Sequence, residues 1–163
     1  MLGADQGTFL GEIGMQWNNV PNNGLRYSRG FIFGFGSDAT VPVPGGNTCL
    51  AGTPFYNPQP DGCKNDGYVT DFSWGYRLRT QLDYPGLIGS FTVSPSLFWQ
   101  HDVSGFSSDY QFIEKRKVIG VGVKFDYQKK FSIDMGYTTF ANSTKYDPFR
   151  DRDYYSLSFS TTF

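Results

Sequence analysis

The sequence predicts an all-β fold: an antiparallel transmembrane β-barrel segment of about six strands, part of a larger barrel. Three observations predict it. Runs of about ten residues alternate strictly between apolar and polar side chains, which is the period of a strand and not of a helix. Every charge inside those runs falls on the polar parity. Aromatic residues of the apolar parity gather toward the two ends of the runs, as the girdles of a membrane barrel do.

The strands are placed near residues 8–17, 71–84, 87–99, 118–127, 131–139 and 154–163. In the first, Phe9, Ile13, Met15 and Trp17 share one parity, with Leu10, Glu12, Gly14 and Gln16 between them. The second sets Phe72, Trp74, Tyr76, Leu78, Leu82 and Tyr84 against Asp71, Ser73, Arg77, Arg79, Gln81 and Asp83. The third opposes Phe91, Val93, Leu97 and Trp99 to Thr92, Ser94, Ser96 and Phe98. The fourth carries Ile119, Val121, Val123, Phe125 and Tyr127 against Gly120, Gly122, Lys124 and Asp126. Phe131, Ile133, Met135 and Tyr137 face away from Ser132, Asp134 and Gly136 in the fifth. The last alternates Tyr155, Leu157, Phe159 and Phe163 with serines and Thr162.

The connections also alternate. Tyr84–Ile88 and Gln128–Lys130 read as tight turns, whereas the links at 18–68, 101–117 and 140–153 are long and polar. Short turns on one side and long loops on the other are the asymmetry of outer-membrane barrels. Each run is close to the 9–11 or so residues that a tilted strand needs to cross a bilayer.

Composition excludes several classes. The 163 residues (18.3 kDa) make one domain's worth of chain, with 18% aromatic residues and 20 glycines. Such aromatic content argues against disorder. The longest apolar run, around Phe31–Phe35, is far short of the roughly 20 residues of a spanning helix. A formal charge of −1 with both signs mixed leaves no basic footprint, so nucleic acid is not an expected partner.

Two cysteines, Cys49 and Cys63, lie in a Gly/Pro-rich stretch without metal-ligand spacing, and the chain has one His. The expectation is a disulfide in an oxidising compartment, closing a loop of about 13 residues and worth roughly 3 kcal/mol. No metal or other cofactor is expected. Asp147, Asp151 and Asp153 lack the Gly and further ligands of a calcium loop.

Six strands do not close a barrel, since single-chain barrels begin at about eight. The partners expected are therefore the remaining strands of the same barrel, or identical copies, together with outer-membrane lipid. Met1–Asp5 has neither the basic start nor the apolar core of an export signal. The expectation is accordingly the C-terminal part of a longer protein. Tyr155, Leu157, Phe159 and the terminal Phe163 resemble the signal read by the barrel-assembly machinery.

The blocks Tyr68–Arg79 (YVTDFSWGYRLR), Ser94–Asp102 (SPSLFWQHD), Arg116–Tyr127 (RKVIGVGVKFDY) and Arg150–Phe159 (RDRDYYSLSF) resemble the bacterial domain-of-unknown-function family 1302. The resemblance implies an outer-membrane protein of a Gram-negative bacterium, with a role tied to envelope export components or lipid handling. It supplies no agreed catalytic residues.

Candidate site residues follow from parity. Glu12, Asp71, Arg77, Arg79, Asp83, Lys124, Asp126 and Asp134 face the lumen, as a charged ladder that sorts solutes or as a self-paired network. The 18–68 link holds most of the nine prolines and is long enough to be functional. It is expected either to form a constriction through Arg26, Arg29, Phe31 and Phe33 or to be an external cap. His101 and Asp102 are neighbours on a strand and so point to opposite faces, which argues against an enzyme. The expected function is porin-like or export-associated passage or binding of a solute. The alternative is docking or adhesion through the loops.

Overall fold

In the computed structural model, residues 3–19, 26–27, 29–34, 36, 61–140 and 144–162 are described. They form six strands: β1 (Gln6–Trp17), β2 (Phe72–Ile88), β3 (Phe91–Ser104), β4 (Lys117–Tyr127), β5 (Phe131–Phe140) and β6 (Tyr154–Thr161). A 3-10 turn spans Phe31–Phe33. Each strand pairs antiparallel with its neighbour in the chain, giving one sheet in the order β1-β2-β3-β4-β5-β6. The sheet is open, and its edges β1 and β6 do not touch.

The register fixes two faces. Met15 lies opposite Trp74, Leu78 opposite Trp99, Leu97 opposite Val121, and Val123, Met135 and Leu157 follow one another across three strands. On the other face Glu12 opposes Arg77, Arg77 opposes Gln100, Ser94 opposes Lys124, and Lys124 opposes Asp134. The apolar face is uncovered: Ile13 is 66% exposed, Val121 50% and Leu157 74%. Its rings collect at the two ends. Trp17 meets Phe72 at 5.1 Å, and His101 lies against Tyr76. At the opposite end Phe91, Tyr127, Phe131 and Phe159 make a chain of ring contacts with centroids 5.0–6.3 Å apart.

Two boundaries differ from the sequence reading. β2 does not turn at Tyr84–Ile88 but continues to Ile88, with a register shift between Pro85 and Ile88. Pro85 cannot donate to the ladder, and the chain absorbs it as a bulge. The turn proper is Gly89-Ser90, with Gly89 at φ +58°, the two-residue Gly-X hairpin. β3 likewise runs past Trp99 to Ser104, taking in His101 and Asp102 and shortening the 101–117 link.

The side chains withdrawn from solvent are concentrated at one end. Phe33, Phe112, Ile113 and Tyr146 are buried there, in segments that connect strands. Val69 donates its N–H to Tyr27 O, Thr70 to Phe106 O, and the Thr144 hydroxyl to Lys115 O. The three long links therefore meet in one cap above the strand ends.

Candidate functional site

The polar face supplies the floor of the site. Even positions of β1 and odd positions of β2 share it, which brings Glu12, Gly14 and Gln16 beside Gly75 and Arg77. Arg77 Nη1 lies 3.9 Å from Glu12 Oε1, with both side chains substantially exposed. Such a pair contributes about 0–1 kcal/mol and leaves both groups available to a third partner.

Over this floor folds the segment between β3 and β4. Its own bridge pairs Phe106 with Ile113, and Ser107 closes it: the Phe112 N–H donates to Ser107 Oγ at 2.8 Å and the Ser107 N–H to Phe112 O at 3.0 Å. Asp102 anchors it from the sheet. Its Oδ2 accepts from Arg116 Nε at 2.7 Å and from the Ile113 N–H at 3.1 Å, while Oδ1 accepts from Gln100 Nε2. The Arg116 fork also donates to Tyr110 O and Gln111 O. Both ion-pair partners are almost fully buried, so losing one would strand a charge, at a cost of about 3–5 kcal/mol.

The tip of the segment reaches β1. A Cβ placed on Gly14 would sit 2.9 Å from Phe112 Cζ, so the ring rests where β1 has no side chain. Beneath it lies a cavity of about 280 Å³ whose lining includes Glu12, Gln16, Arg77, Asp109, Gln111 and Phe112. Its lining offers one cation, three carboxylates (Glu12, Asp109 and the already bonded Asp102), two amides and a ring edge. A hydrogen bond from Ser107, with help from the Gln111 N–H, holds Asp109 below the usual carboxylate range.

The cap is organised by Arg29. Its guanidinium donates to the carbonyls of Lys64, Asp66, Phe33 and Asp61 at 2.5–2.9 Å and lies 4.3 Å from the centre of the Tyr146 ring. Tyr146 donates its hydroxyl to Asp66, and burial followed by that bond pushes its pKa up. Asp147 is buried with Oδ2 unpartnered. Burial raises its pKa, although the Phe149 N–H opposes the shift. At the surface, Asp61 is held low first by its hydrogen bond from Lys64. A second, larger cleft of about 460 Å³ lies between the links, beside Tyr68, Phe106, Lys115 and Lys145.

The family model for DUF1302, protein of unknown function, matches residues 1–163. The chain belongs to the DUF1302 family. No curated protein matches it, and no solved structure does.

In this DUF1302 chain the expected charges share one face but scatter along it. Arg79 is exposed opposite Leu10 and Phe98, Asp83 accepts from Gln81 at 3.0 Å, and Asp126 accepts from the Lys129 N–H at 2.9 Å. Lys124 and Asp134 are exposed cross-strand neighbours, and Asp71 precedes β2, its carbonyl accepting from the Asn18 N–H. The described residues of the 18–68 link that were expected to form either a constriction or an external cap lie among the connecting segments. Arg29 is buried among carbonyls, Phe33 is buried against Tyr146, and Arg26 bonds Asn65 at the surface. The Phe31 side chain, Cys49 and Phe163 lie outside the described residues. Cys63 is not a free thiol. Tyr155, Leu157 and Phe159 are exposed on the edge strand β6. Among the described residues no cluster of His, Cys, Asp and Glu could hold a metal.

Asp102, Asp109, Gln111, Phe112 and Arg116 had not been selected from the sequence. One signal existed: extending the β3–β4 register by one residue beyond His101–Lys117 sets Asp102 against Arg116, opposite charges on the polar parity.

Proposed function

We propose that this DUF1302 chain is part of the wall of an outer-membrane β-barrel in a Gram-negative bacterium. The barrel binds a solute and passes it across the membrane, passively or with envelope export components. The observation that carries this reading is the uncovered apolar face, continuous across the strands and edged by rings at both ends. In water a contiguous apolar surface of that extent is rare. In lipid it is what a barrel strand presents, with the charged face turned to the lumen. A disulfide between Cys49 and Cys63, as the sequence leads one to expect, would fit the oxidising compartment that this location implies.

The test is reconstitution of the full chain into vesicles carrying a lipid-borne quencher of tryptophan fluorescence. Trp17, Trp74 and Trp99 should be quenched at interfacial depth. Planar-bilayer conductance should shift its ion selectivity when Arg77 is replaced by Ala. Unquenched tryptophans, or a chain that stays in solution, would remove the reading.

The order of the cap, built around Arg29, favours a second reading in which the loops dock a partner. Docking should survive Arg77→Ala and fail when Tyr146 or Arg29 is altered.

A further inference from the structure

We infer that the segment Gly105–Lys115 is the constriction of the lumen, seated across the polar face and held there by an Asp102–Arg116 latch. This rests on the reading of the polar face as a lumen. Long external loops usually stand away from the sheet they connect. This one leaves the β3–β4 edge of its own hairpin and reaches β1, where Phe112 occupies the space left by Gly14. A charged side chain is seldom buried without a partner. Asp102 and Arg116 are buried because they face each other across the base of the segment and spend their remaining bonds on its backbone. The latch and the segment therefore form one unit, closed by Ser107 at the bridge.

The gap that remains lies between Asp109 and Gln111 on the segment and Glu12, Gln16 and Arg77 on the wall. At about 280 Å³ it is just below the usual size of small-molecule sites, roughly 300–1,000 Å³. Its lining is polar on both sides. The solute class that fits is small and polar, held by the Arg77 guanidinium and the two amides, with Phe112 setting the width.

Hydrogen exchange on the full chain in detergent tests the latch independently of passage. In the wild type the N–H groups of Ser107, Phe112 and Ile113 should exchange as slowly as those of β3 and β4. Arg116→Ala should speed exchange across 105–115 by about 100-fold or more, with the amides of β1 and β2 unchanged. A segment that exchanges freely in the wild type, or one indifferent to Arg116→Ala, would overturn the inference. Should Arg116→Ala also release the strands, Phe112→Ala decides. Protected latch amides with a raised conductance support the constriction, and released amides overturn the latch. Absence of conductance in every form would remove the passage reading and leave the exchange result to judge the latch.

Discussion

Asp147 shows what a single buried carboxyl does to a loop structure. Its Oδ1 accepts the Phe149 N–H at 2.9 Å, while Oδ2 is buried without a partner. Burial raises its folded-state pKa above the ordinary value of 3.8, so the folded cap holds that proton more tightly than the unfolded chain does. The stability it lends is fully present below the ordinary carboxylate pKa and is lost as pH rises through the raised value. Thermal melts of the cap should therefore fall across that window, and Asp147→Asn should flatten the dependence. Backbone strain sits both beside it, at Tyr146 with φ +60°, and farther off. In the β4–β5 turn, Gln128 and Lys129 take φ of +49° and +59°, a conformation costing a non-glycine residue roughly 1–2 kcal/mol. Replacing the pair with Asn-Gly, the favoured residues for two consecutive positive φ values, should stabilise the chain by about 1 kcal/mol in denaturant titration.

Among the strands, the two faces make opposite demands on the same substitution. Val121→Arg would place a charge at the middle of the apolar face, between Leu97 and Tyr137. In a membrane this should cost about 2–4 kcal/mol, read as a lowered midpoint of unfolding from vesicles. Ser96→Arg, on the polar face opposite Gln81 and Gly122, should cost far less; equal costs would mean that the apolar face is not in lipid. The strands were legible in the sequence because period-two alternation is local: Val121, Val123 and Phe125 declare their face without reference to any other strand. Pro85-Gly86 misled because the same dipeptide serves a turn or a bulge, and only the pairing of Ile88 with Phe91 distinguishes them. The cap was legible only as one of two expectations for the 18–68 link, and none of its bonds could be read. Arg29 finds its acceptors on residues 61–66, and Tyr146 finds Asp66 about 80 positions away, with no periodicity linking them. The pocket fell between these cases: its floor, Glu12 and Arg77, followed from parity, whereas Phe112 arrived through the fold of a connection.

For the molecule as a whole, the open sheet presents two rows of backbone N–H and C=O groups, on β1 and on β6. In hydrocarbon each unsatisfied group costs several kcal/mol, so a stable inserted state has both rows paired. The species recovered from membranes should accordingly exceed 18.3 kDa by native mass, either through further strands on the same polypeptide or through several copies. Cross-linking followed by denaturing mass measurement separates the two outcomes. An inserted particle of 18.3 kDa would contradict the membrane reading. The meander itself carries a kinetic consequence. Every strand pairs with its immediate neighbour in the chain, so the ladder from β2 to β6 can be zipped one hairpin at a time, each step closing a modest loop, while β1 must close the long link from Trp17 to Phe72; topologies rich in local contacts form early. The bonds from Tyr146 to residues 61 and 66 close far larger loops and must wait until the strands bring those segments together. Assembly should thus end with the cap, leaving a late intermediate whose wall is built and whose mouth is still open.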